Sequence, residues 1–396
     1  MIEFEEALKI IESEAILFGD ELISLDDADG RVLAEDIYAD RNYPPFNRAA
    51  MDGFALSFSD WKKGIRKYRV VETIYAGRET SLALQTGECF KIMTGARVPE
   101  SANLIIRGED SIPEGEEVTL SGESLKEFRN ISREGEDAKA GKLLIKSPQV
   151  CTPQVISLLA TVGKATVAVK KLPTVSIITT GNEVVLPHEE ISSVTIRNSN
   201  RFLVKSLLKT WQITPAICRH VLDEKSELKI ALKNALESEI TIINGGVSAG
   251  DADYVPEIFE ELGVRKLFHR VSIKPGKPIW VGRSKTGIVF ALPGNPLSCL
   301  TTFTVFIESY LYRIFGFEKR PAHILPLLAP REKKNNLTEI FPMLYSPEKN
   351  GLHPKFYNGS GDITAGLQAS GLGFQASDQN KLEIGDKILF FPFRNV

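Results

Sequence analysis

Cysteine is scarce in this 396-residue chain: Cys89, Cys151, Cys218 and Cys299 stand far apart, and none forms CxxC. That excludes a disulfide framework and a zinc knuckle, and it suits a reducing cytoplasm. The five histidines make no HExxH or other paired metal spacing. No apolar run approaches the ~18 residues of a membrane helix. The N-terminus, MIEFEEALKIIESEA, is acidic and helix-patterned rather than leader-like. An excess of one charge is missing too. Lys+Arg number 48 against 51 Asp+Glu, a net −3, which argues against a global nucleic-acid footprint but leaves room for a local basic pocket. A GxGxxG dinucleotide fingerprint is absent. Gly276-Lys277 does not complete a P-loop, because position 271 is Val and Lys277 is followed by Pro.

What is present reads as a soluble globular chain, 43% hydrophobic and 25% charged, long enough for two to four domains. Helical spacing of Phe4, Ala7, Leu8, Ile11 and Ala15 predicts a helix over 3–18, and SLDDADGRVLAEDI predicts a second short one from Ser24. Tyr43-Pro44-Pro45-Phe46 forces an extended connector and marks a boundary. Residues 54–137 carry short apolar stretches between Gly and Pro and read as β-rich. After a helix over 152–162 and a strand over 164–170, the rhythm becomes strand–helix alternation from Leu172. Strands are expected near 174–179, 215–220, 240–243 and 287–291. Helices are expected over 198–211, with Phe202, Leu203, Leu207 and Leu208 on one face, and over 225–237, 254–262 and 296–315. This pattern implies a parallel, doubly wound sheet with ligands at the C-terminal strand ends. Residues 319–396 return to short β runs.

Three loops follow those strands: Thr179-Thr180-Gly181-Asn182-Glu183, then 244–253 (NGGVSAGDAD), then Leu292-Pro293-Gly294-Asn295-Pro296-Leu297-Ser298. Each puts glycine and small polar residues where strand ends meet helix starts, offering backbone N–H groups to an anion. Any one alone is an ordinary turn; three at one sheet edge carry more weight. Between the second and third lies Arg270-Val271-Ser272-Ile273-Lys274-Pro275-Gly276-Lys277, either a solvated strand and turn or an oxyanion clamp. Residues 246–250 also fit a GxSxG elbow around Ser248, but a hydrolase would need a separate downstream acid and histidine, and His269 follows too closely. Asp251 and Asp253 beside the loop suit a divalent cation near phosphate instead.

Seven islands in order carry a resemblance: PPFNRAAMDGFA, KIMTGARVPESA, NISREGED, TGNEV, NGGVSAGDADYV, IKPGKP and LPGNPLS. Nearly end to end, the chain resembles the MoeA family of molybdopterin molybdenumtransferases, related to the C-terminal part of gephyrin. The resemblance implies a multidomain α/β plus β fold. Its parts would be an elongated N-terminal α+β domain (1–45 and 138–171), an inserted β-rich domain (46–137), a MogA-like doubly wound α/β domain (172–318) and a small C-terminal β-barrel-like domain (319–396). It implies insertion of molybdate into adenylylated molybdopterin with release of AMP, a magnesium ion, and a homodimer in which two subunits share the cleft. By motif, catalytic positions are Asp52, Thr94, Asp137, Glu183 and Asp253, with Glu183 and Asp253 as metal ligands. Substrate-binding positions are Asp223, Gly246, Ser248, Arg270, Lys274, Lys277, Pro293, Pro296 and Ser360. Molybdate is a tetrahedral dianion, which Lys274, Lys277 and Arg270 suit, and no reactive cysteine is needed.

The chain departs from the family pattern at Ser132, where Arg is usual, at Asn182, where Asp is usual, and at Arg48-Ala49 before the AMDG stretch. Two alternatives remain at this level. One is the sibling molybdopterin adenylyltransferase, whose fold resembles 172–318 alone. The other is a non-catalytic, gephyrin-like scaffold. A molybdopterin adenylyltransferase and molybdoenzyme apoproteins are expected partners; nucleic acid and membrane are not.

Overall fold

The computed structural model describes residues 1–246 and 254–394 and divides the chain into two compact units, Met1–Ala34 with Val150–Thr152 and Ala168–Val396, and Glu35–Gln149 with Pro153–Val167.

The smaller unit is built on a six-stranded sheet in the order Leu104–Arg107, Gly53–Leu56, Glu88–Ile92, Lys67–Ile74, Glu117–Leu120, Ser111–Glu114. Side chains alternate between its faces with period two. Phe54, Leu56, Cys89, Leu104 and Ile106 enter one core with Trp61 and Tyr68. Ala55, Phe90, Ile92 and Ile105 enter the other, with Ala49, Ala96 and Ile131. Gly53–Leu56 and Leu104–Arg107 are covered on both faces and read as apolar runs, whereas Glu117–Leu120 alternates. Gly53 is required: a Cβ there would lie 2.0 Å from the Ile106 carbonyl oxygen.

The larger unit holds a second six-stranded sheet, ordered Ile217–Val221, Val175–Thr180, Ile240–Asn244, Ile288–Leu292, Trp280–Arg283, Arg265–His269. The first four strands are parallel. Ile177, Ile242 and Phe290 face helices Phe4–Ser13, Asn200–Lys209 and the helix that starts at Pro296. Ile178, Ile243 and Ala291 face helices Lys225–Ala235 and Val255–Glu261. The sheet is therefore doubly wound. It is not wholly parallel: two strands without a clear sequence signal, Trp280–Arg283 and Arg265–His269, both pair antiparallel. The link from Arg283 to Ile288 is a tight turn closed by Ser284 N donating to Gly287 O at 2.8 Å, far too short for a crossover.

Other expectations shift in detail. The first helix ends at Ser13, and Ile16 and Leu17 are exposed. Instead of a helix from Ser24 there is one 3₁₀ turn, Leu25–Asp27, because the Ser24 hydroxyl accepts from Asp26 N and Gly30 turns the chain at φ 72°. Phe202 is 51% exposed, whereas Val204 and Leu208 form the buried stripe. The helix from Pro296 to Ile314 contains a π-helical stretch over Phe303–Ile307.

The C-terminal residues form a sheet ordered Ile273–Lys274, Thr338–Ser346, Gly371–Gln375, Lys387–Pro392, His323–Pro326, with Gly351–Pro354 also on Thr338–Ser346. Its first strand comes from the α/β segment and pairs in parallel, Ile273 opposite Thr338 and Lys274 opposite Glu339. Among the described residues no helix is long and apolar enough to cross a membrane.

Candidate active site

In the larger unit, four parallel strands deliver their following loops to one sheet edge, and buried asparagines tie these loops together. Asn244, the last residue of its strand, donates from Nδ2 to Pro293 O at 2.9 Å. Its Oδ1 accepts from Asn200 Nδ2 at 2.8 Å, and the same Asn200 nitrogen donates to Gly294 O at 2.6 Å. Gly245 N donates to Leu292 O at 3.2 Å. Gly245 has φ 102°, and a Cβ on it would lie 2.7 Å from Thr180 O. Only glycine lets the second loop pass this close to the first. Gly246, at φ 68°, packs against Val255, where a Cβ would come within 2.6 Å.

Asp223 joins the same edge. Its carboxylate accepts from the Thr180 hydroxyl and from Asn182 N at 3.3 Å, and Asp223 N donates to Asn182 Oδ1 at 3.0 Å. Asn182 thus braces the loop through backbone bonds. The Glu183 carboxylate lies over Gly181, about 3 Å from where a Cβ would stand. Among the described residues no cluster of three or more His, Cys, Asp or Glu is gathered to hold a metal. Of the expected pair, Glu183 is described, while Asp253 falls in 247–253 and lies, with Ser248, outside the described residues.

Next to these loops is a pocket of about 300 Å³. Lys274 and Lys277 line it from one side, Pro293 and Asn295 from the third loop, and Tyr357 and Ser360 from the C-terminal β region. Asn295 Nδ2 donates to Ser360 Oγ at 2.7 Å and Leu297 N donates to Ser360 O at 3.1 Å, which fixes the serine at the start of the helix. Pro296 occupies the first helical turn, where its missing N–H costs nothing. Burial pushes the Tyr357 hydroxyl above its ordinary pKa. Lys274 is half-exposed, and its ammonium lies 3.4 Å from Glu339, a buried carboxylate. Arg270 is not part of this lining. It is exposed at a left-handed corner, φ 68°, with its carbonyl accepting from Ile2 N.

The smaller unit carries the other three expected residues. Asp52 Oδ1 accepts from Thr94 N at 2.7 Å and from Thr94 Oγ1 at 2.6 Å. These two bonds hold its carboxyl below the usual carboxylate range, so the group is an exposed anion at any ordinary pH. Asp137 is exposed as well; its N–H donates to Tyr43 O at 2.9 Å and its carbonyl accepts from Lys142 Nζ at 3.1 Å. Ser132 lies opposite Arg48 in a two-strand ladder, and the Arg133 guanidinium sits 4.6 Å over the Phe128 ring. Burial pushes the Cys89 and Cys299 thiols up to about 12 and Cys151 up to about 11, so none of these is a thiolate nucleophile.

Asn200 and Tyr357 have no place in the sequence expectations, and Asn244 enters them only as the first residue of the second loop. Asn244 carries a local signal as the last residue of its strand, whereas Asn200 opens a helix.

The chain matches two family models, "MoeA N-terminal region (domain I and II)" over residues 2–163 and "Probable molybdopterin binding domain" over residues 176–313. It is 34% identical over 339 residues to a molybdopterin molybdenumtransferase of Synechocystis, covering 83% of this chain and 86% of that one. It is 31% identical over 380 residues to one of Staphylococcus epidermidis, covering 94% and 90%. The molybdopterin biosynthesis MoeA protein of Pyrococcus horikoshii superposes with a TM-score of 0.83 at 27% identity, covering 99% of this chain and all of that one. With this share of the chain matched at this identity, it belongs to the MoeA family of molybdopterin molybdenumtransferases.

Proposed function

We propose that the protein is a molybdopterin molybdenumtransferase, a transferase of molybdenum cofactor biosynthesis that inserts molybdenum into molybdopterin. The observation that carries this reading beyond family membership is the pocket where Lys274, Lys277 and Ser360 converge at the start of the Pro296 helix. Two ammoniums, a hydroxyl and the positive end of a helix suit a tetrahedral oxyanion such as molybdate. The substrate of the finer reading is adenylylated molybdopterin, with AMP as the leaving group. Glycine-rich loops braced by Asn200 and Asn244 would hold its phosphoryl end. The Asp223 carboxylate keeps the first loop in place. Asp52, an exposed anion fixed by Thr94 in the smaller unit, would act in the cleft of the other subunit of the proposed homodimer. No cysteine is required.

Lys274→Ala is expected to weaken molybdate binding about tenfold or more, and raising the ionic strength should weaken the wild type as well. Equilibrium dialysis checks both; unchanged affinity in the variant contradicts the clamp.

Magnesium, with Glu183 and Asp253 as ligands, belongs to this reading: a divalent cation would offset charge on the phosphoryl group. Excess EDTA should abolish turnover and added Mg²⁺ should restore it, whereas full activity in EDTA contradicts the requirement. The proposal extends to a cytoplasmic homodimer that works with a molybdopterin adenylyltransferase and delivers cofactor to molybdoenzyme apoproteins. Light scattering would test the dimer.

A further inference from the structure

Behind the pocket wall sits a carboxylate that no motif explains. Glu339 is 4% exposed, on the long strand Thr338–Ser346, which lies between Ile273–Lys274 and Gly371–Gln375 in the C-terminal sheet. One oxygen accepts from Asn335 Nδ2 at 2.5 Å and lies 3.4 Å from Lys274 Nζ; the other accepts from Arg331. Arg331 spans to Gln375 and packs 3.7 Å from the Phe341 ring, so Glu339 already has a largely covered cation of its own, 13% exposed. A second cation is not needed to settle it. The Lys274 contact is imposed by register instead: the short strand Ile273–Lys274 places Lys274 directly opposite Glu339. Lys274 also lines the pocket, while Glu339 does not.

We infer that Glu339 is a positioning residue, a counter-charge that holds the Lys274 ammonium at the pocket wall and competes with the incoming oxyanion for it. This rests on the reading of the pocket as the molybdate site. Glu339 sets how tightly the dianion is held, and it takes Lys274 back when the dianion leaves. An acid one side chain behind an anion pocket lowers affinity through space, and most of that penalty passes through the ammonium shared by both anions. Burial works to raise the Glu339 carboxyl, but the Arg331 and Asn335 hydrogen bonds and the charges of Arg331 and Lys274 outweigh it, so the group stays ionised at ordinary pH.

The test is molybdate binding by equilibrium dialysis at low ionic strength, in wild type, Glu339→Gln, Glu339→Asp and each combined with Lys274→Ala. Glu339→Gln keeps an acceptor for Arg331 and should tighten binding about tenfold. Glu339→Asp keeps the charge that Arg331 needs, and so the fold, while withdrawing it by one methylene; the gain should be about threefold. Both gains should vanish in the Lys274→Ala background and shrink at high salt. Weaker binding in folded Glu339→Gln and Glu339→Asp, or the same gain without Lys274, overturns the inference. No molybdate binding by the wild type overturns the pocket reading itself, which is a different result.

Discussion

Replacing Asp52 with alanine or with asparagine is expected to lower molybdenum insertion at least about 100-fold while the protein stays folded. The asparagine variant separates charge from scaffolding. Its side-chain oxygen can still accept from Thr94 N and Oγ1, the bonds Asp52 makes now. Other ties keep the corner in place: Gly108 N donates to the Asp52 carbonyl at 3.2 Å, and Gly53 is wedged against Ile106. Asp52 itself is exposed and supports no apolar core. A structural role would leave Asp52→Asn active, whereas an electrostatic role predicts that both variants fail. Circular dichroism and thermal melting check the fold, and the rate of molybdopterin metallation checks the chemistry. Wild-type turnover by Asp52→Asn would reduce the Asp52–Thr94 pair to a loop brace.

The largest stability effect is expected at Arg320. Its guanidinium donates to Glu308 Oε2 at 2.9 and 2.8 Å and to Pro392 O at 2.9 Å, and it stacks 5.0 Å from the Phe391 ring. Both side chains of the ion pair are almost wholly buried, at 5% and 3% exposed. Arg320→Met strips the buried carboxylate of its hydrogen-bonded counter-charge and leaves only the through-space charge of Arg394, which costs about 3–5 kcal/mol, a fall in melting temperature of about 6–20 °C. Burial already pushes the Glu308 carboxyl up, and the Arg320 charge and hydrogen bonds hold it back. Without them its folded pKa moves further above the unfolded value. The folded variant then binds a proton that the unfolded chain releases, so its stability is greatest at low pH and is lost as pH rises through the folded pKa. The deficit against wild type should therefore be smaller at pH 5 than at pH 8. Denaturant titration at both values measures it, and an equal or larger deficit at pH 5 contradicts this account of the pair.

The elements that could be read from sequence are those whose burial leaves a continuous mark. The strands at VSII, TII and IVFA are covered on both faces and appear as apolar runs. Trp280–Arg283 and Arg265–His269 are hard to read because glycine breaks the pattern of the first and charge that of the second, which is the edge strand. Propensity also misled where a side chain competes with the backbone: Ser24 ends in a single turn, although its acids look like a helix start. The motif loops were legible one by one, and parallel pairing brings them to a common edge. Lys274, Lys277, Pro293 and Ser360 do converge, while Arg270, only four residues before Lys274, stands exposed at a left-handed corner outside the lining. Glu339 had no local signature. It is one acid in the apolar strand TEIFPMLYS, and only a two-residue ladder joins it to Lys274.

One reaction tests the transferase activity most directly. Purified protein is mixed with adenylylated molybdopterin and molybdate, without ATP, and AMP and pterin-bound molybdenum are measured together. The account predicts that both appear in equal amounts and depend on molybdate. Consumption of ATP, when it is supplied with unmodified molybdopterin, and formation of adenylylated pterin would mark the adenylyltransferase instead. Neither product from a folded protein would contradict the transferase reading and leave the fold as a scaffold.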